Sequence, residues 1–109
     1  MNNNSNRYYA TEEQKEKFIP ILQEFIDRIE AASEEEVYSI KLNLTDQGIN
    51  PAQVWDILNS LGYEEDYVDH NGWELDFWIE FEKEDCRTIT MRGTGITFEV
   101  LLKVQEEVW

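Results

Sequence analysis

The only histidine and its polar neighbours form the first group of residues whose types could support chemistry. Asp66, Asp69, His70 and Asn71 carry the oxygen and nitrogen atoms that bind metal ions. An EF-hand loop aligned on Gly72, however, begins with a tyrosine and ends with a tryptophan, so both terminal carboxylate ligands are missing. The spacing of histidine and cysteine fits no zinc site, and hairpin turns are commonly rich in Asn and Asp. We therefore expect a turn here, with no bound metal or cofactor.

The single cysteine and the numerous carboxylates are the other candidates for catalysis. Cys86 has no histidine near it in the sequence that could act as its base. Because the chain has 24 acidic residues, neighbouring carboxylates arise by chance and do not by themselves indicate an acid–base pair. The Arg92-Gly93-Thr94-Gly95 segment is too short for a phosphate-binding loop. The sequence therefore predicts a protein without catalytic residues.

The stretch from Trp73 to Glu82 has the most regular pattern in the chain, and it predicts a β-strand with one buried face. Successive side chains of a strand point to opposite faces. The apolar positions that we expect to be buried are Trp73, Leu75, Phe77, Ile79 and Phe81. The opposite face carries Glu74, Asp76, Trp78, Glu80 and Glu82. Burying five large apolar side chains contributes about 8–15 kcal/mol, which far exceeds the repulsion of about 0.6 kcal/mol between two neighbouring carboxylates on the other face.

The outward face of this strand is the predicted partner-binding surface. An exposed tryptophan such as Trp78 is a frequent interface anchor. The carboxylates recur about 7 Å apart along the strand, which is close to the spacing of phosphates along one nucleic-acid strand. Such a row suits a basic groove that normally holds nucleic acid. The alternatives are a solvated face and a face covered by a helix, although burying four carboxylates is costly.

A second acidic cluster, formed by Glu64, Glu65 and Asp66, belongs to the predicted surface, and the composition supports an acidic binding role. The chain contains 24 acidic and 9 basic residues, a net charge of −15. This balance excludes direct binding of nucleic acid, which needs a basic surface, and an anionic membrane repels it. Basic proteins are therefore the expected partners, although an acidic surface also serves solubility alone.

Length and cysteine content restrict the organisation and location of the protein. We expect residues 1–10 to be a disordered tail and residues 11–109 to form a single acidic domain. One cysteine excludes an internal disulfide and fits a reducing compartment. The first residues show no apolar leader, and no run approaches the length of a membrane span. We expect a cytoplasmic protein, in the host cytoplasm if the source is a virus.

The order of the predicted elements places the chain in the α+β class. Thr11 caps a first helix over about 12–32, which either kinks at Pro20 or restarts there. Asn50 caps a second helix, and Thr97 begins a third. The predicted strands cover residues 37–44, 66–70, 73–82 and 86–92. The prediction is a small antiparallel sheet of three to four strands with three helices, in the order α-β-α-β-β-(β)-α.

Turn signals and apolar alternation predict the strand registers. A two-residue turn at Asn71-Gly72 pairs Val68 with Leu75. A three-residue loop after Glu82 then sets the register of the last two strands. The pairs predicted from this loop are Phe77–Met91, Ile79–Ile89, Asp76–Arg92 and Glu80–Thr88. A slip of one residue would oppose an isoleucine to a threonine, so the apolar pattern favours this register.

The leading hypothesis is a non-enzymatic acidic inhibitor that occupies the nucleic-acid-binding surface of a basic protein such as a nuclease. In size, charge and aromatic content the chain resembles the small acidic anti-defence proteins of phages, such as anti-CRISPR and anti-restriction proteins. It likewise resembles the immunity proteins that neutralise nuclease toxins. The resemblance is one of composition rather than of a motif. The alternative is an assembly or accessory subunit, for example a homodimer paired through the Cys86–Arg92 strand at a sheet edge.

Overall fold

The described residues form two α-helices and a five-stranded antiparallel sheet, and the helices share a single hydrophobic core with one face of the sheet. The computed structural model describes residues 8–70, 76–94 and 99–104. The helices are α1 (Glu12–Ala31) and α2 (Pro51–Ser60). The strands are β1 (Lys41–Asn43), β2 (Glu64–His70), β3 (Asp76–Glu82), β4 (Ile89–Thr94) and β5 (Leu101–Val104). They are arranged in the order β1-β5-β4-β3-β2, so β1 and β2 are the two edges.

The prediction of three helices and a sheet of three to four strands is wrong, although the α+β class is consistent with the structure. The segment expected to continue the third helix contains β5, which pairs with both β4 and β1. Leu102 and Val104 alternate with Leu101 and Lys103, and this alternation buries them beside the inner residues of β4. The predicted start of that helix, Thr97, and residues 105–109 lie outside the described residues.

The predicted strand over residues 37–44 is also shorter than expected. A 3-10 turn occupies Val37–Ser39, and only Lys41–Asn43 pair as a strand. Local hydrogen bonds from hydroxyl residues explain the difference, because the Ser33 hydroxyl accepts from the Glu36 N–H (3.2 Å) and the Ser39 hydroxyl donates to the Glu36 carbonyl (2.7 Å). Val37 is the buried residue of the 3-10 turn.

Both helices begin at capping boxes, as the sequence predicts. In α1 the Thr11 hydroxyl accepts from the Gln14 N–H, and the Gln14 side chain accepts from the Thr11 N–H. Asn50 and Gln53 repeat the arrangement in α2. The Gln14 amide also donates to the Gln53 side chain at 3.0 Å, which joins the two helix starts. The helix α1 runs without interruption through Pro20, which lies on its exposed side.

Both predicted registers are wrong by an even number of residues. Val68 pairs with Ile79 rather than with Leu75, and Ile79 pairs with Met91 rather than with Ile89. A slip of an even number keeps every side chain on its face, so apolar alternation cannot detect it. Of the other predicted pairs, Asp76 faces Thr94 and Glu80 faces Thr90. The predicted turn residues Asn71 and Gly72 lie outside the described residues.

The loop between β3 and β4 is longer than predicted because it caps the end of α1. The Arg87 guanidinium donates to the carbonyl of Ala32 at 2.8 Å and to the carbonyl of Ile29. The Arg87 N–H donates to the Glu30 carboxylate at 2.8 Å. These bonds satisfy carbonyl groups that the end of a helix leaves free. The loop therefore extends to Thr88, and β4 begins later than the apolar pattern indicates.

Gly93 lies where two backbone segments approach more closely than a side chain allows. A Cβ atom at this position would lie 2.0 Å from the Glu99 carbonyl oxygen and 2.7 Å from its carbon. We expect Gly93→Ala to lower the free energy of unfolding by about 1–3 kcal/mol more than Gly48→Ala does, because the backbone must move apart. Gly48→Ala is the control, since that site has a φ of +83° but open space around it and loses only about 1 kcal/mol. Urea unfolding of both variants measures this, and equal losses would contradict the close approach.

Tyr63 provides a second test of the core. Its side chain is buried, and its hydroxyl has no hydrogen-bond partner among the described residues. Burial raises the pKa of the Tyr63 phenol above its ordinary value, and the Cys86 thiol and Glu30 carboxylate raise it further. The unfolded chain therefore loses this proton first, above a pH of about 10, and stability declines as the pH rises further.

We expect Tyr63→Phe to change stability at neutral pH by less than about 0.5 kcal/mol, because the hydroxyl has no hydrogen bond to an oxygen or nitrogen atom of the described residues. The variant should also lose less stability than the parent protein between pH 9 and pH 11. Chemical unfolding across that range measures both effects. A large loss of stability at pH 7 would mean that the hydroxyl is hydrogen-bonded in the folded state.

Candidate partner-binding surface

The described part of the predicted binding strand alternates as the sequence predicts. Phe77, Ile79 and Phe81 are buried in the core. The opposite side of the sheet, which we call the outer face, carries the predicted residues Asp76, Trp78, Glu80 and Glu82. Asp76 and Glu82 are exposed, whereas Trp78 and Glu80 are half-buried. Glu74, the remaining predicted residue of this strand, lies outside the described residues.

Trp78 is engaged within the protein rather than free as an anchor. Its indole N–H donates to the Glu80 carboxylate at 2.8 Å. The guanidinium carbon of Arg92, which lies opposite on β4, is 6.0 Å from the centre of its ring system. This distance is typical of a cation–π contact. The tryptophan is therefore a fixed part of the outer face, held between a carboxylate and a guanidinium.

The strands β2 and β3 form an acidic ribbon at one side of the sheet. The acidic residues of this ribbon are Glu64, Glu65, Asp66, Asp69, Asp76, Glu80 and Glu82. Glu64 lies directly opposite Glu82, and the Cβ atoms of such a pair are about 5 Å apart. Within the described residues the sole ion pair joins Lys15 to Glu12 on α1. The acidic ribbon therefore has no ion-paired lysine or arginine in the described part of the chain.

The second predicted cluster divides between the two sides of β2. Glu64 shares the outer face with Glu82, whereas Glu65 pairs with the inner residue Phe81. The Trp55 indole N–H donates to the Glu65 carboxylate, so Glu65 links the sheet to α2. Asp66 lies in the irregular pairing between Glu65 and Tyr67, where the ladder shifts register. Glu64 and Asp66 are exposed and free to contact a partner, and Glu65 already has an indole donor.

Basic residues occupy the other half of the outer face, which sequence reasoning missed. Lys41 of β1 lies opposite Lys103 of β5, and Thr90 separates this pair from Glu80. Arg92 lies on the central strand, β4, beside Trp78. Apolar residues at positions 102 and 104 indicated a strand with Lys103 facing outward. The helical spacing of Leu101 and Val104 favoured a helix instead and obscured this signal. The outer face is thus divided into an acidic half and a basic half.

An open depression of about 650 Å³ lies at one end of the outer face. Arg92, Trp78 and Asn43 line it together with the carboxylates of Asp69 and Asp76. The described lining residues include neither histidine nor cysteine. The depression therefore offers polar contacts of both charges.

The described residues contain no cluster of three or more histidine, cysteine or acidic side chains that could hold a metal ion. Among the same residues, neither helix combines the length and apolarity needed to cross a bilayer.

Comparison with protein families, with curated proteins and with solved structures found no match for this chain.

Proposed function

We propose that this protein is a non-enzymatic acidic binding module whose acidic ribbon occupies the nucleic-acid-binding surface of a basic protein. Binding there would exclude the nucleic acid and inhibit the partner, as an anti-defence or nuclease-immunity protein does. A protein partner is favoured over a metal ion because the carboxylates extend along two strands instead of converging on one point. A seven-residue strand is about 23 Å long, which suits a protein groove.

The opposed pair Glu64 and Glu82 is the observation that carries this proposal. Like charges placed directly opposite in an antiparallel pair destabilise the sheet. Neither residue forms an ion pair with a described lysine or arginine. A basic partner would relieve this repulsion on binding, so part of the binding free energy comes from the strain in the free protein.

The basic half of the outer face limits where such a partner can dock. Lys41, Lys103 and Arg92 repel a cationic surface that covers the whole sheet. The partner is therefore expected to dock over β2 and β3, on the side remote from β1. The mimicry of a phosphate row is confined to the acidic ribbon.

The alternative, an assembly or accessory subunit, is favoured by one observation. The acidic and basic halves of the outer face are complementary, so two copies related by a two-fold axis can place each acidic ribbon on the lysines of the other. A homodimer paired through the Cys86–Arg92 strand would need that strand to lie at an edge of the sheet. The strand β4 lies between β3 and β5, and it has no free edge in this sheet.

Neutralising the acidic ribbon should abolish capture of a basic partner at low salt. The test variant carries Glu64→Gln, Asp66→Asn, Asp69→Asn and Glu82→Gln. A matched control removes the same number of charges elsewhere, with Glu34→Gln, Glu35→Gln, Glu36→Gln and Glu84→Gln at exposed positions. Pull-down from the natural cellular context, followed by competition with duplex DNA, measures the loss. The parent and control should retain a partner that DNA and high salt both displace.

Equal capture by both variants would contradict a role for the acidic ribbon. A captured partner that DNA does not displace would contradict occupation of a nucleic-acid site. Analytical ultracentrifugation at low and high salt tests the alternative. A dimer that dissociates with salt and is lost in Lys41→Glu would favour self-assembly, whereas a monomer at both salt concentrations would exclude it.

Replacing one carboxylate of the Glu64–Glu82 pair by a lysine should stabilise the folded protein and abolish partner binding. We expect Glu64→Lys and Glu82→Lys each to raise the free energy of unfolding by about 0.5–1 kcal/mol at low salt. The double variant restores a like-charged pair and should be less stable than the sum of the single variants predicts. Urea unfolding at two salt concentrations measures this coupling. Strictly additive effects would mean that the two side chains do not interact.

A further inference from the structure

The free edge of β2 is the feature that suggests how a partner could bind. The strand has seven residues, and β3 is its only neighbour among the described strands. Among the described residues, no further backbone hydrogen bond extends from Glu64–His70 to another segment. Every second residue of an edge strand directs its N–H and C=O away from the sheet. These groups form a template on which another strand can pair.

The two edges of the sheet differ in how they resist pairing. The edge strand β1 has only three residues and carries Lys41, and a short strand with a lysine is a common protection. In contrast, β2 contains neither lysine nor proline. Tyr67 and Val68, which lie on opposite faces, are 50% and 44% exposed. The irregularity at Asp66 interrupts one end of β2 and leaves regular pairing over residues 67–70.

The charges of β2 determine what can pair with it. A second copy of the same edge would bring the acidic residues of β2 (Glu64, Glu65, Asp66 and Asp69) near carboxylates of the same kind. Like charges across a strand pair are unfavourable, whereas opposite charges are favourable. A segment with alternating basic and apolar residues would instead place cations near these carboxylates and apolar side chains on Tyr67 and Val68.

We propose that β2 accepts an extended basic segment of its partner as a sixth strand of the sheet. This inference rests on the proposed function and specifies its mode of binding. Backbone hydrogen bonds along residues 67–70 supply affinity, and the flanking carboxylates select lysine or arginine in the added strand. The proposal differs from simple docking on a basic surface, because the partner must present a segment free to become a strand.

Synthetic peptides test the mode of binding on the intact protein. The probe alternates lysine and valine, and its control has the same lysines with proline in place of each valine. Both carry the same charge, but proline lacks the N–H and resists strand pairing. We expect the lysine–valine peptide to bind at least about tenfold more tightly at low salt. It should also slow hydrogen exchange at those backbone amides of residues 67–70 that point away from β3.

A variant of the protein provides the second test. Val68→Lys places a cation on the exposed edge and should weaken the lysine–valine peptide at least about tenfold. Gln23→Lys adds the same charge on the exposed side of α1 and should leave affinity nearly unchanged. Far-ultraviolet circular dichroism establishes that both variants fold. If Val68→Lys does not fold, the hydrogen exchange of the parent protein still decides the question.

Each outcome has a distinct meaning. Equal affinity for the two peptides, without protection of residues 67–70, would overturn strand addition and leave electrostatic docking by the acidic ribbon intact. Absence of binding by either peptide at low salt would count against both proposals. Tight binding with protection confined to residues 67–70 would support the sixth strand.

Discussion

Burial of one face of β3 is the constraint on which the rest of the structure depends. Phe77, Ile79 and Phe81 are packed in the core shared with α1 and α2, and strand geometry then directs the intervening residues outward. Because the intervening positions are mostly acidic, burial of the apolar row concentrates carboxylates on the outer face. The free energy of packing thus maintains an arrangement of like charges that would not form on its own. A partner that supplies cations would offset the repulsion among these carboxylates.

The sequence correctly predicted which side chains of β3 face the core and where α1 and α2 begin. It did not correctly predict which residues pair between strands, and the reason is physical. Capping at Thr11 and Asn50 depends on residues three positions apart, so local sequence is sufficient. The face of Ile79 depends only on whether its position is odd or even. Its partner, Met91, depends on the length of a loop, and that length depends on Arg87 reaching the end of α1. A contact between residues so far apart in the chain leaves no local signal in the sequence.

The sequence predicted only part of the candidate site, because alternation along a strand is local and pairing between distant strands is not. The outward positions of Asp76, Glu80 and Glu82 follow from alternation, and so they could be predicted. The division of the outer face into acidic and basic halves could not, because it requires that β5 lie beside β1 and bring Lys103 opposite Lys41. Helical spacing of Leu101 and Val104 competed with alternation in that segment. The engagement of Trp78 by Arg92 also depends on the register between β3 and β4.

The position of β1 has a consequence for how the chain folds during its synthesis. This three-residue strand pairs only with β5, whose residues are among the last of the described chain to leave the ribosome. The carbonyl groups at the end of α1 likewise gain their hydrogen bonds only after Arg87 has been synthesised. The early segments consequently remain without their partners while most of the chain is translated, and long-range pairing of this kind slows folding. The high density of negative charge in the chain would keep such an unfinished polypeptide from associating with its neighbours on a polysome.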